Sequence, residues 1–371
     1  MIRLDSLGQT FRDAISITKR FGVEFLWIDC LCIIQDSDED WRKESLLMRE
    51  VYEHSYCNIA ATASSDGRGG CFRSRDARVV RPCLVNMTVG GQTQRYQLID
   101  FPVWYQMFER SPLNARAWVL QERLLSPRVL HFGIDQIVWE CNELTACERY
   151  PLGIHAPLPK IQGPRAMRRF MTTPDPESAV LENWSLLVQA YSACGITKDT
   201  DRLIALQGIV RMLQDVVRSP FSSGLWMKDI ERQLSWVVLS PKLARRPSEH
   251  IAPSWSWASL VGEVKLLPAH GDLLVDEVPG EGIFKVLDIE KSPGGSLTNS
   301  FVSHAQLLVR CFLVPMDLAL YDWEDVSDDP VEAIPDDPVE SLAESPDNQM
   351  SAPRAPALVS VNRPVRALTR N

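Results

Sequence analysis

Nowhere in these 371 residues does an apolar run reach the ~18 needed to cross a bilayer as a helix. The opening residues, Met1-Ile-Arg-Leu-Asp-Ser6, lack the apolar core of a signal peptide. Together these absences point to a cytoplasmic protein with no membrane partner. A basic face is lacking too. Asp322 to Asp347 hold 11 acids and no Lys or Arg, and taking them from the 48 acids leaves 37 against 39 bases, a net +2. The body is near neutral and the overall −9 belongs to a tail, so nucleic acid is not an expected partner. A disulfide framework is missing as well. The nine cysteines are odd in number and scattered through apolar segments, which reads as reduced core thiols. Neither Cys30 with Cys32 nor Cys141 with Cys147 has further ligands at zinc spacing, so no metal is expected. A Cys141–His131 nucleophile pair rests on residue type alone.

What is present is ordinary globular composition, with 45% hydrophobic and 23% charged residues. The first 65 residues alternate helical and strand patterns. Thr10 to Asp13 resembles a capping box, and Phe11, Ala14, Ile15 and Thr18 share a helical face. Gly22 reads as the residue after that helix. Phe25 to Ile28 reads as a buried strand. Asp38 or Asp40 then caps a helix through about Tyr52, with Leu47, Met48, Val51 and Tyr52 on its buried stripe. Tyr56 to Thr62 is another strand pattern. Such alternation predicts an α/β fold with a mainly parallel sheet and flanking helices.

Further along, Leu84 to Ile99 predicts a hairpin turning at Gly90-Gly91. Ala115 to Leu125 is helical in pattern, and Arg128–Phe132 and Gln136–Cys141 are strands around Gly133. Residues 151–180 form a Pro-rich linker or long loop. An α+β region follows over 181–320. Leu181–Cys194, Asp201–Val216 and Gly224–Val237 read as helical, and Pro253 to Ser259 and beyond as β structure, with Trp255 and Trp257 on one sheet face. Residues 321–371 read as a disordered, acidic, Pro-rich tail.

The segment Leu26-Trp-Ile-Asp-Cys-Leu-Cys-Ile-Ile-Gln-Asp36 carries the sharpest local signal. An acid, Asp29, closes an apolar run. A buried carboxylate costs several kcal/mol unless it is paired or hydrogen-bonded. Asp29 therefore either serves a site or caps the following loop through the backbone.

This segment, then Glu44, Met48 and Tyr52, Ile59-Ala-Ala61 and Gly69-Gly-Cys-Phe72, resembles the fungal heterokaryon incompatibility (HET) domain. So does Arg116-Ala-Trp-Val-Leu-Gln-Glu122 with Leu124 to Phe132. Asp201 to Leu206, Gly224-Leu-Trp226 and Pro253 to Ser259 resemble the region that follows this domain in many such proteins. The resemblance puts a HET domain over 1–150. It departs from the family in lacking an opening strand of the type Ala-Leu-Ser-Tyr-Cys-Trp-Gly.

The resemblance implies a role in allorecognition, the recognition of self and nonself between hyphae, and in programmed cell death. It also implies a fold distantly similar to Toll/interleukin-1 receptor (TIR) domains, which is flavodoxin-like. Enzymatic TIR domains cleave NAD through the Glu of a Trp-x-x-x-Glu helix motif, a spacing matched here by Trp118 and Glu122. On that basis Glu122 is the expected catalytic carboxylate and Asp29 a second one. Trp118, Arg116 and Trp27 are the expected NAD contacts, with NAD as substrate and no resident cofactor. Against this stands a salt bridge of Glu122 with Arg116, Arg123 or Arg128. Glu44 is expected to partner Arg73 or Arg75. The partners implied are other incompatibility or signalling proteins and a second copy of the chain. A non-enzymatic interaction module and an inactive family member remain open alternatives.

Overall fold

The computed structural model describes residues 2–78, 80–98, 108, 110–154, 166–267, 284–291, 305–311 and 357–360. Helix α1, Gln9–Arg20, buries Asp13, Ala14, Ile17 and Thr18 on one face and carries Lys19 and Arg20 in its last turn, where cations suit the helix dipole. Gly22 follows with φ +67°, a left-handed conformation that glycine adopts without strain. The Thr10–Asp13 pair does not cap this helix. Gly8 stands at the N-cap, and Thr10 and Asp13 reach instead to the loop at 66–72. Thr10 Oγ1 accepts from the Gly70 N–H at 3.1 Å, and Asp13 Oδ2 accepts from the Cys71 N–H at 2.8 Å.

The pattern at Phe25 to Ile28 misleads. Residues 23–28 are outside any strand, and Phe25 is 86% exposed. Asp29 opens a four-residue helix, α2, Asp29–Cys32. The longer α3 spans Asp38–Glu53. Ser37, not Asp38 or Asp40, is its cap, and the Ser37 side chain accepts from the Asp40 N–H at 3.2 Å.

The central sheet is mixed. Strand β1, Asn58–Ala60, lies parallel to β4, Arg128–Phe132. Strand β5, Ile137–Cys141, runs antiparallel to β4, and β6, Thr145–Cys147, antiparallel to β5. Among the described residues β1–β4 is the one parallel pair of this sheet, so the expected mainly parallel arrangement is corrected. The hairpin of β2, Cys83–Val89, and β3, Gln92–Leu98, turns at Gly90 (φ +59°) and Gly91 (φ +80°) as the Gly-Gly pair predicts. Helix α1 meets the sheet through Ile17, packed with Cys71 and Phe132 and flanked by Ile59, Leu130 and Ile137. Helix α4, Ala117–Leu125, precedes β4 and is buried along Ala117, Val119, Leu120, Gln121, Leu124 and Leu125.

After α5, Ala166–Phe170, Asp175 caps α6, Pro176–Ser192. Two 3₁₀ turns, Asp199–Asp201 and Ile204–Leu206, lead into α7, Gln207–Val217, so the helix expected over 201–216 is split. The expected helix over 224–237 is also corrected. Strands β7, Phe221–Ser222, and β8, Leu225–Trp226, pair there, followed by a four-residue helix α8, Ile230–Gln233, and by β9, Trp236–Val238. Strand β9 pairs with β10, Val264–Leu266. The Trp255/Trp257 stretch is not a strand either. Ser256 caps a 3₁₀ turn, Trp257–Ser259, and the buried Trp257 ring receives Arg202 at 5.3 Å.

By contact the chain forms two compact units, Met1–Leu274 with Lys291–Ala305, and Val275–Glu290 with Gln306–Asn371. The second holds β11, Phe284–Lys291, β12, Ala305–Cys311, and β13, Ala357–Ser360, in that sheet order. Strand β13 pairs antiparallel with β12; the rest of the expected disordered tail lies outside the described residues. The thiols differ from expectation. Cys71 and Cys147 are buried, but Cys30, Cys32 and Cys83 are exposed. No helix among the described residues is long and apolar enough to cross a membrane.

Candidate functional site

Helix α4 sets the site. Its sequence buries 117, 119, 120 and 121 and leaves Trp118 and Glu122, one helical turn apart, half-buried on a shared face. The Tyr52 hydroxyl lies beside the Glu122 carboxyl and favours its charged form. The Glu122 main-chain oxygen accepts from Ser126 Oγ at 2.7 Å, closing the end of the helix, and from the Asn58 side-chain amide at 3.4 Å, which ties the helix to β1. Burial and the nearby Asp29 carboxylate push the Glu122 carboxyl up to about 7, against the opposing pull of Arg116 and Tyr52. The Tyr52 hydroxyl is raised well above its ordinary range by burial and by the charges of Glu122 and Asp29.

Four of the five expected site residues thus converge around Tyr52. Glu122, Asp29 and Arg116 act on the Tyr52 hydroxyl electrostatically. The Trp27 ring meets the Tyr52 ring edge-on at 5.8 Å. Asp29 and Arg116 are exposed, and Trp27, Tyr52 and Glu122 are half-buried, so the cluster opens to solvent on its charged side. Asp29 is not the buried acid that the apolar run suggested. Its Oδ1 accepts from the Cys30 N–H at 2.7 Å, the local capping bond, while its charge also reaches Glu122. Trp118, the fifth residue, meets Trp41 edge-on at 6.4 Å, and its side chain lies beside the Asp201 carboxyl.

The salt bridges weighed against a site role for Glu122 go elsewhere for two of the three arginines. Arg123 turns inward and forks onto Glu140 through two 2.7 Å bonds. Arg128 donates to the Tyr56 carbonyl at 3.1 Å and lies 5.7 Å from the Tyr56 ring. Glu140 also accepts from His131 Nε2 at 3.0 Å, and His131 Nδ1 contacts Thr62 Oγ1 at 3.0 Å. His131 is therefore held in a buried ion network, and the register sets it opposite Val138 while Cys141 faces Arg128. The supposed Cys141–His131 pair is not formed. Arg75 pairs with Glu148, and Arg73 donates to Ala63 and Ser64 rather than to Glu44.

The arrangement can hold a proton near neutral pH on Glu122, place a second carboxylate beside it, and offer a cation and an aromatic edge to a ligand. Residues 1–122 match the family model described as heterokaryon incompatibility protein (HET). Over this segment the chain is similar to the HET domain. The match ends at Glu122, inside α4, and ties the chain to heterokaryon incompatibility in general. No curated protein and no solved structure matches the chain. The residue that sequence reasoning missed is Tyr52. It reads as one more position on the apolar stripe of α3, and only its place four residues after the half-motif Glu44–Met48 sets it on the same face as Met48.

Proposed function

We propose that this HET-like domain serves in self–nonself recognition and triggers cell death by TIR-like hydrolysis of NAD. The observation that carries the reading is the Glu122 carboxyl, raised to about 7 beside Asp29. Breaking the nicotinamide–ribose bond passes through an oxocarbenium-like state. The C–N electron pair leaves with nicotinamide, and water adds its oxygen to the ribose carbon. A carboxylate near neutrality takes the proton of that water, and the second carboxylate stabilises the positive charge that develops on the ribose. Arg116, exposed at the N-cap of α4, faces the pyrophosphate, and Trp27 and Trp118 line the ligand. On this reading NAD is the substrate, and other incompatibility or signalling proteins, or a second copy, are the partners. The test is NAD consumption by the purified chain. Glu122→Gln is expected to lower the rate about 100-fold or more, and intact NAD after prolonged incubation at high protein concentration overturns the reading.

A second reading, a non-enzymatic interaction module, draws on the exposed apolar side chains Phe25 (86%), Tyr56 (59%) and Ile34 (57%), which are candidates for covering by a partner. It requires that Glu122→Gln leave toxicity in cells unchanged.

A further inference from the structure

The family match stops at Glu122, yet the helix that carries Glu122 is fastened mainly by residues that come after it. At the start of α4, the Ala117 N–H donates to the Gly195 carbonyl at 2.9 Å, and the Gly195 N–H donates back to the Ala115 carbonyl at 2.8 Å. These bonds bracket Arg116, which bridges Gly195 in parallel sense. In the first turn, the Trp118 side chain lies beside the Asp201 carboxyl and favours its charged form. One turn on, Gln121 Oε1 accepts from the Gly208 N–H at 2.8 Å, with both residues buried. That contact tolerates no side chain on Gly208, since a Cβ there would stand 2.5 Å from Gln121 Oε1 and 3.0 Å from a Leu125 methyl. Helix α4 also packs on α7, on the 3₁₀ turn at 204–206 and on α6.

The pattern along α4 is the argument. Arg116, Trp118 and Glu122 belong to the candidate site; Ala117 and Gln121 between them are fixed by Gly195 and Gly208, and Asp201 lies beside Trp118. We infer that the segment Gly195–Gly208 is a positioning frame for the candidate site, and that Asp201 and Gly208 are positioning residues which set where Glu122 and Trp118 stand. The frame rests on the site assignment above but not on its chemistry. It makes the region beyond the family match a working part of the candidate site, because any displacement of 195–208 is delivered to α4 at three points. A side chain held 1 Å out of place is enough to impair a site of this kind.

The test uses the full chain and reads the Glu122 carboxyl directly by its infrared titration, assigned through Glu122→Gln. Asp201→Ala removes the polar group beside Trp118, whereas Asp201→Asn retains one of the same size. The expected result is a Glu122 midpoint lowered by about one pH unit in Asp201→Ala, as the carboxyl moves away from Asp29 and toward water. Trp118 fluorescence changes in parallel, and both values return to wild type in Asp201→Asn. Gly208→Ala is expected to lower the midpoint likewise, and so is Gln121→Ala, which removes the acceptor of the Gly208 N–H. A midpoint unchanged in folded Asp201→Ala overturns the frame even if Gly208→Ala fails to fold. NAD turnover is scored separately, so loss of the NAD reading leaves the carboxyl titration to decide this one.

Discussion

The Tyr52 hydroxyl stands beside the Glu122 carboxyl where α3 packs on α4, a donor placed to favour the charged form of Glu122. Burial and Asp29 oppose it at Glu122 and raise that carboxyl, whereas at Tyr52 burial, Glu122 and Asp29 all act together against ionisation. Tyr52→Phe keeps the ring that packs on Trp27 and removes only the donor. The Glu122 midpoint is expected to rise further above about 7, by a few tenths of a unit to about one unit. Infrared or carboxyl NMR titration reads this, and a midpoint that falls would show that the hydroxyl is not the donor.

A carboxyl raised on folding makes stability depend on pH with a definite sign. The Glu122 value lies above its ordinary 4.5, at about 7, so the folded state binds more protons between these limits. The Glu122 contribution to stability is therefore fully present below 4.5 and is lost as pH rises through about 7. Glu122→Gln removes that slope. The variant is expected to be more stable than wild type near pH 8, by on the order of 1–3 kcal/mol, and little different near pH 5. Urea unfolding at both pH values checks it, and equal effects at both would place the raised value in doubt.

Why some of this was legible and some not follows from how far apart the partners lie. The α4 face was readable because Trp118 and Glu122 are one turn apart, and the hairpin because Gly90-Gly91 is a local turn signal. The strand expected at Phe25 to Ile28 failed because a ladder needs a second segment, and an apolar run says nothing about whether one pairs with it. Asp29 took the local option, bonding the Cys30 N–H. Trp255 and Trp257 alternate like strand residues, but Ser256 between them bonds the Ala258 N–H at 3.0 Å and closes a turn. Tyr52 looked like core because its functional neighbour lies 70 residues on. Asp201 and Gly208 lay further still, with no periodicity to connect them to α4.

Asp13 is a buried acid held by two main-chain donors and one side-chain amide. Its Oδ2 takes the N–H groups of Cys71 at 2.8 Å and Phe72 at 3.4 Å, and its Oδ1 takes the Gln9 side-chain amide at 2.6 Å. Gly70 turns there with φ +72°, and a Cβ on it would stand 2.7 Å from Asp13 Oδ2. Asp13→Ala leaves the two N–H groups without that acceptor and is expected to cost about 1–3 kcal/mol. Hydrogen exchange is the sensitive measurement. The Cys71 amide should lose protection ahead of β4, and unchanged protection would mean that the loop is held by other contacts.

The Arg123–Glu140–His131 network lies in the core beside α4, with the Arg123 and Glu140 side chains 4% and 2% exposed. Val129 of β4 stands directly opposite Glu140, and His131 is its diagonal neighbour on the same face. Burial alone would raise the Glu140 carboxyl, but Arg123 and His131 overcome it and hold the group well below its ordinary 4.5. Its stabilisation is therefore complete above 4.5 and is lost as pH falls below that value. Removing one partner strands the other charge, so Arg123→Met is expected to destabilise by about 3–5 kcal/mol near neutral pH. Replacing the ion pair together, with Arg123→Met and Glu140→Leu, should recover much of that loss, since a buried ion pair is often no better than apolar packing of similar volume. Unfolding near pH 7 and near pH 3 separates the terms. Wild type should weaken toward acid while the double variant changes less, and parallel acid limbs would show that Glu140 does not carry the pH dependence.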